Sequence, residues 1–89
     1  MSWWVGDGPR RAGRVAVEPE AVALFATVPP AATQRVRFVE IARVVLERGV
    51  LELVRHLGAP LCICSLDSPG ALRELAESVS EHAAAAREA

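Results

Sequence analysis

The chain contains no lysine and no tyrosine, and it has only two tryptophans and two phenylalanines. Without tyrosine there is no phenol to move a proton, and without lysine no side-chain amine for covalent catalysis. With so few rings the core must be built from Val, Leu and Ala, which bury less area per residue. Cysteine is scarce too. The two present, Cys62 and Cys64, stand one residue apart and cannot staple a secreted scaffold. No apolar run approaches the roughly 20 residues that cross a bilayer as a helix. The first residues show neither the basic start nor the apolar stretch of a secretory signal. These absences lead us to expect a cytoplasmic protein with no membrane partner.

What is present is an apolar surplus, 52% of 89 residues. That length suits a single small domain, residues 1–89, which would bury about 60–65% of its unfolded surface. Surplus apolar side chains in a small domain are often covered by a second subunit, so self-association or a protein partner is expected. All ten basic residues are arginine, and the formal net charge is −1. Residues 10–58 hold eight Arg and five Glu, whereas residues 59–89 hold two Arg and five acidic residues. A chain so balanced is not the clearly basic surface that nucleic acid selects. Arg10, Arg11 and Arg14, with Arg35, Arg37, Arg43, Arg48 and Arg55, keep a local basic patch as an alternative.

Along the chain, Trp3–Val5 and Arg14–Val17 read as short strands joined by a Gly-rich loop. Trp3 and Trp4 then face opposite sides of their strand, one into the core and one outward, where it meets a partner or lies against Arg10 or Arg11. Pro19 suits a first helical position, and Val22, Phe25 and Ala26 would make that helix's stripe, ended by Pro29 and Pro30 with Val28 extended. Val36, Val39, Ala42, Val45 and Leu46 share a face at the 3.6-residue period, with Phe38 and Ile41 widening it. Arg43 and Glu47 are an i,i+4 pair, and Gly49 sits where a helix C-cap belongs. The pattern resumes over Val50–Leu57 and ends at Gly58, which predicts one kinked helix or two. Leu61–Leu66 reads as a strand buried on both faces. Ser68 and Pro69 open a final helix with a stripe of Leu72, Leu75, Ala76, Val79, Ala83 and Ala86.

Three features could carry chemistry. Cys62 and Cys64 would share one strand face at roughly 6.5–7 Å, too far for an easy disulfide. With His56 they are candidates for thiol or metal chemistry, against the plainer reading of buried cysteine as a small hydrophobe. The turn with Ser65, Ser68 and Gly70 precedes a helix N-terminus that can hold an anion, against the plainer reading of ordinary capping. Trp3, Trp4, Val79, Ala83 and Ala86 are the interface candidates. No Gly-x-Ser-x-Gly, His-Glu-x-x-His or phosphate-loop motif is present, so no catalytic residue, metal or cofactor is expected.

The stretch "RFVEIARVVLERGVLELVRHLG", Arg37 to Gly58, resembles the helical lead-in before the kinase-like core of UbiB/AarF-type atypical kinases. That resemblance implies helix for this quarter of the chain. It implies no activity, because the Gly-rich loop, lysine and metal-binding acids of that family have no counterpart.

The expected fold is therefore α+β: a short N-terminal hairpin plus one central strand, packed against two to three helices, with a mostly α arrangement as the alternative. The expected function is a non-enzymatic protein–protein interaction module, an accessory subunit or adaptor of a bacterial cytoplasmic complex. A thiol or metal protein using Cys62 and Cys64 is the first alternative, and a nucleic-acid-binding regulator the second.

Overall fold

A computed structural model describes residues 1–27, 29, 32–65 and 68–88. These residues run through seven strands before one long helix: β1 Ser2–Val5, β2 Arg11–Val17, β3 Ala21–Ala26, β4 Thr33–Arg37, a 3₁₀ turn Phe38–Glu40, β5 Ile41–Glu47, β6 Val50–Arg55, β7 Leu61–Cys64 and α1 Pro69–Glu88. All neighbouring strands are antiparallel, in the order β4-β3-β2-β1-β7-β6-β5. Two meanders, β1 to β4 and β5 to β7, are thus joined where β1 pairs with β7. Helix α1 lies across the concave side, touching β5, the 3₁₀ turn and β2.

The expected hairpin-plus-one-strand fold on several helices is overturned, and so is its mostly α alternative. β1, β7 over Leu61–Cys64 and the final helix stand close to where the sequence placed them, but the expected hairpin does not: Arg11 and Ala12, read as loop, pair with β1, while Arg14–Val17 pairs with β3. Nor do the two central helical expectations. Residues 19–26 are a turn followed by β3. Glu18 N–H donates to Ala21 O at 2.9 Å, which closes a hairpin around Pro19 and Glu20. Proline pre-sets the first central position of such a turn as readily as a helix start. The long helix expected across residues 36–58 is β4, the 3₁₀ turn, β5 and β6, so the kinase-like resemblance fails in conformation. The β-branched residues Val36, Val44, Val45, Val50 and Val54 pack better on a pleated surface than on a helix. Gly49 caps no helix. Arg48 and Gly49 have φ of 51° and 75°, the two left-handed residues of a tight hairpin turn between β5 and β6. The expected extended Val28 lies outside the described residues.

Side chains facing the concavity line up in rows across the sheet. Trp3 opposes Ile63, Ile63 opposes Leu51, and Leu51 opposes Leu46. Val5, Leu61, Leu53 and Val44 form the parallel row. In the other meander Val22 and Leu24 of β3 face inward, with Val36 opposite Val22. These residues join Phe38, Ile41, Leu72, Leu75, Ala76, Val79 and Ala83 in one core. Trp3 is its largest member, and its indole Nε1 has no hydrogen-bond partner among the described residues.

Gly13 is where β2 leaves β1 and turns to pair with β3. A Cβ there would land on the Phe25 carbonyl oxygen, so only glycine permits so close a crossing.

Candidate functional site

Cys62 and Cys64 stand on β7, which ends at Cys64, short of the expected Leu61–Leu66 strand. Cys62 and Cys64 share a face of β7, and it is the convex one, turned away from α1. Trp4 and Glu52 flank Cys62, and Ser2 and Val50 flank Cys64, by strand register. Both thiols are free and buried, though neither belongs to the core around the helix. Cys64 Sγ lies 3.0 Å from Ser2 Oγ. Burial, and then the Glu52 carboxylate beside it, push the Cys62 thiol above its ordinary pKa. A reactive or metal-binding cysteine needs the opposite shift, because the thiolate is the nucleophile and the ligand. His56 stands exposed beyond β6, its backbone N–H donating to Glu40 O at 2.9 Å. No group of three His, Cys, Asp or Glu side chains able to hold a metal forms among the described residues.

The anion-binding candidates lie at the start of α1. Ser65 is half-buried just after β7, and Ser68 and Gly70 are exposed. Ser68 contributes its carbonyl, which accepts from Leu72 N–H at 3.3 Å, as an ordinary helix start does. Leu66 and Asp67, between them, lie outside the described residues.

The five interface candidates split. Trp3, Val79 and Ala83 are buried in the chain's own core, and Ala86 packs against its margin. Trp4 is half-buried on the convex face, with the Arg10 guanidinium 4.6 Å from its ring centroid.

Several arginines of the basic-patch alternative are likewise engaged within the chain. Arg14 stacks on Phe25 at 4.8 Å. Arg35 pairs with Glu18 at 2.8 Å, a contact that holds the carboxyl below its usual range. Arg55 grips Ala59 O through Nε and Nη2. Glutamates and these internal partners divide the positive charge into separate spots, whereas a phosphate backbone needs a continuous stripe.

A different surface emerges from the strand order. β5 ends the sheet, and its outer edge is unpaired among the described residues. The tight turn at Arg48–Gly49 makes Glu47 and Val50 a hydrogen-bonded pair, so Glu47, Val45 and Arg43 direct their backbone groups toward β6. Val44 and Leu46 therefore direct their N–H and C=O groups out of the sheet. Their side chains face the concavity, where Val44, Leu46, Ala76 and Ser80 line a groove between β5 and α1, rimmed by Arg73, Glu77 and Glu81. Leu46 is 39% exposed although its row continues inward through Leu51, Ile63 and Trp3, each 2% exposed or less. The core rows thus run out, uncovered, at this edge.

The start of β5 is treated differently. A register shift between Ile41 and Arg43 bulges the strand at Ala42, and Arg87 at the end of α1 donates Nη1 to Ala42 O at 2.9 Å. Bulges and charged covers are the usual means of blunting an edge. Here they protect one end of β5 and leave Arg43 to Glu47 open. The opposite edge, β4, carries Arg35 and Arg37 around a single buried Val36. Its composition protects it. None of this was accessible to pattern reading, because the edge exists only once β5 is a strand at the end of an order. The signal that could have found it is the alternation Arg43, Val45, Glu47 against Val44, Leu46, followed by Arg48-Gly49 as a hairpin turn.

No helix among the described residues is long and apolar enough to cross a membrane. Comparisons of the chain with protein-family models, with curated proteins and with solved structures returned no match.

Proposed function

We propose that this chain is a non-enzymatic protein–protein interaction module, a small accessory subunit or adaptor, and that β5 is the strand through which it engages its partner. The observation that carries this reading is the open apolar edge of β5, where Val44 and Leu46 offer unpaired backbone groups beside a groove. Strand addition draws its affinity from main-chain hydrogen bonds and its specificity from pockets for alternate side chains. The groove against α1 supplies such a pocket for residues that fall on the concave side. The raised pKa of Cys62 counts against the thiol alternative.

The test replaces Val44 and Leu46 with proline. Their N–H groups serve no partner inside the sheet, so proline there leaves the β5–β6 ladder intact while blocking a strand from adding. Native mass spectrometry of the protein isolated gently from its own cells is expected to show a stoichiometric assembly. In the V44P/L46P variant, with its circular dichroism unchanged, only the monomer should remain. A wild-type protein that is monomeric in its own cells, or an assembly indifferent to the prolines, sinks the reading.

A further inference from the structure

We infer that the partner of the β5 edge is a second copy of the same chain, paired antiparallel about a two-fold axis through Val45. This deepens the interaction-module reading and rests on it. The sequence of the edge is self-complementary about that residue. A two-fold at Val45 sets Arg43 opposite the partner's Glu47 and Glu47 opposite the partner's Arg43. It sets Val44 opposite the partner's Leu46 and Leu46 opposite the partner's Val44. Opposite charges and paired aliphatics are the favourable cross-strand combinations, and like charges the unfavourable ones.

The hydrogen-bond parity agrees with this register. Val44 and Leu46 are the residues whose backbone groups face outward, and here each meets an outward-facing residue of the partner, so each pair exchanges both of its N–H···O bonds. Val45, whose own backbone groups are spent on β6, falls on the axis, where a non-bonded pair belongs. Shifting the axis to a neighbouring residue destroys the match. An axis at Val44 sets Leu46 against the partner's Ala42, whose carbonyl Arg87 already occupies, and it leaves Arg43 facing Val45.

The apolar rows are continued as well. On the concave side the row Trp3, Ile63, Leu51, Leu46 would run on into the partner's Val44, Leu53, Leu61 and Val5, covering the exposed Leu46. On the convex side the two Val45 side chains would meet, flanked by the two charge pairs. The result is one continuous sheet with the two copies of α1 on the same face. The bulge and the Arg87 cap at Ala42 then limit the ladder to the open part of the strand.

Charge reversal in the purified full chain tests the register. Sedimentation equilibrium is expected to give a reversible dimer for the wild type. Arg43→Glu and Glu47→Arg should each self-associate at least about tenfold more weakly, because each places like charges face to face at both pairs. Mixing the two single variants should restore association as a heterodimer, and the R43E/E47R double variant should restore the homodimer. Both restorations are independent of any effect the single substitutions have on folding. A wild type that stays monomeric to about millimolar concentration overturns the inference. So does a dimer that R43E and E47R leave unchanged. In either case an assembly in the cell that V44P/L46P abolishes would keep the interaction reading standing with another partner or another register.

Discussion

Single residues decide how this small sheet holds together, and the most constrained of them is a glycine. Gly13 lets β2 pass from β1 to β3, its N–H donating to Met1 O at 3.0 Å while Ala12 O accepts from Thr27 N–H at 3.1 Å. Gly13→Ala forces its methyl into the Phe25 carbonyl. The strands must part at the crossing, so a loss of about 3 kcal/mol or failure to fold is expected, read by urea denaturation. Cys62 carries a different prediction. Its pKa is raised in the folded chain, first by burial and then by Glu52. The unfolded chain therefore ionises first, and the stability tied to the neutral thiol is complete below the ordinary pKa of 9.0 and drains away as the pH climbs past it. Denaturation measured from about pH 8 to pH 10 should lose stability more steeply in the wild type than in Cys62→Ala. Native Cys62 should also alkylate slowly until the chain is unfolded. Equal slopes, or rapid alkylation in the native state, would contradict the neutral, structural thiol described here.

The elements show what could be read in advance and what could not. β1, β7 and α1 were legible because each carries an unambiguous local signal: adjacent tryptophans, a short apolar run behind Pro60, and a serine–proline start to a six-position apolar stripe. β3 to β6 were not, for two reasons. Ala21, Ala23 and Ala26 hide the alternation of β3, since both of its faces are covered and small. From β4 through the 3₁₀ turn into β5, Val36, Val39, Ala42 and Val45 recur by coincidence at helical spacing. The bulge at Ala42 adds to the disguise, because one extra residue breaks the two-residue period just where the strand begins. Val45 and Leu46 would share a helix face; in β5 they point to opposite sides of the sheet, and this reversal puts Leu46 in the groove and Val45 on the proposed axis. The turn that follows is the element's weak point. Arg48 sits at φ 51°, a conformation that costs a side-chain-bearing residue about 1 kcal/mol and that asparagine tolerates better. Arg48→Asn should therefore raise stability by about 0.5–1 kcal/mol, seen as a higher denaturation midpoint with an unchanged slope. A neutral or destabilising result would mean that the Arg48 side chain contributes a contact beyond its backbone position.

At the scale of the whole molecule, a sheet whose two meanders join along β1 and β7 still has two edges, and they are asymmetric. The β4 end is short and charged. The β5 end lets two apolar rows of the core reach solvent, with Leu46 as the exposed terminus. In a chain of this length, an uncovered row is a sizeable fraction of the apolar area available for stability. Covering it by a second copy links unfolding to association, because only the folded edge can pair. The melting temperature of the wild type should accordingly rise with protein concentration above the dimer dissociation constant. Each tenfold increase should add about 1.4 kcal/mol of apparent stability per mole of dimer. Arg43→Glu, whose side chain faces solvent in the isolated chain, should keep a constant melting temperature to concentrations at least about tenfold higher than the wild type does. Its value should match that of the wild type at high dilution, because its effect is on the pairing and not on the fold. Mixed in equal amounts with Glu47→Arg, it should regain the concentration dependence. Calorimetry over a hundredfold concentration range distinguishes the cases: curves that coincide for wild type and variant at every concentration would place the stability of this fold wholly within the single chain.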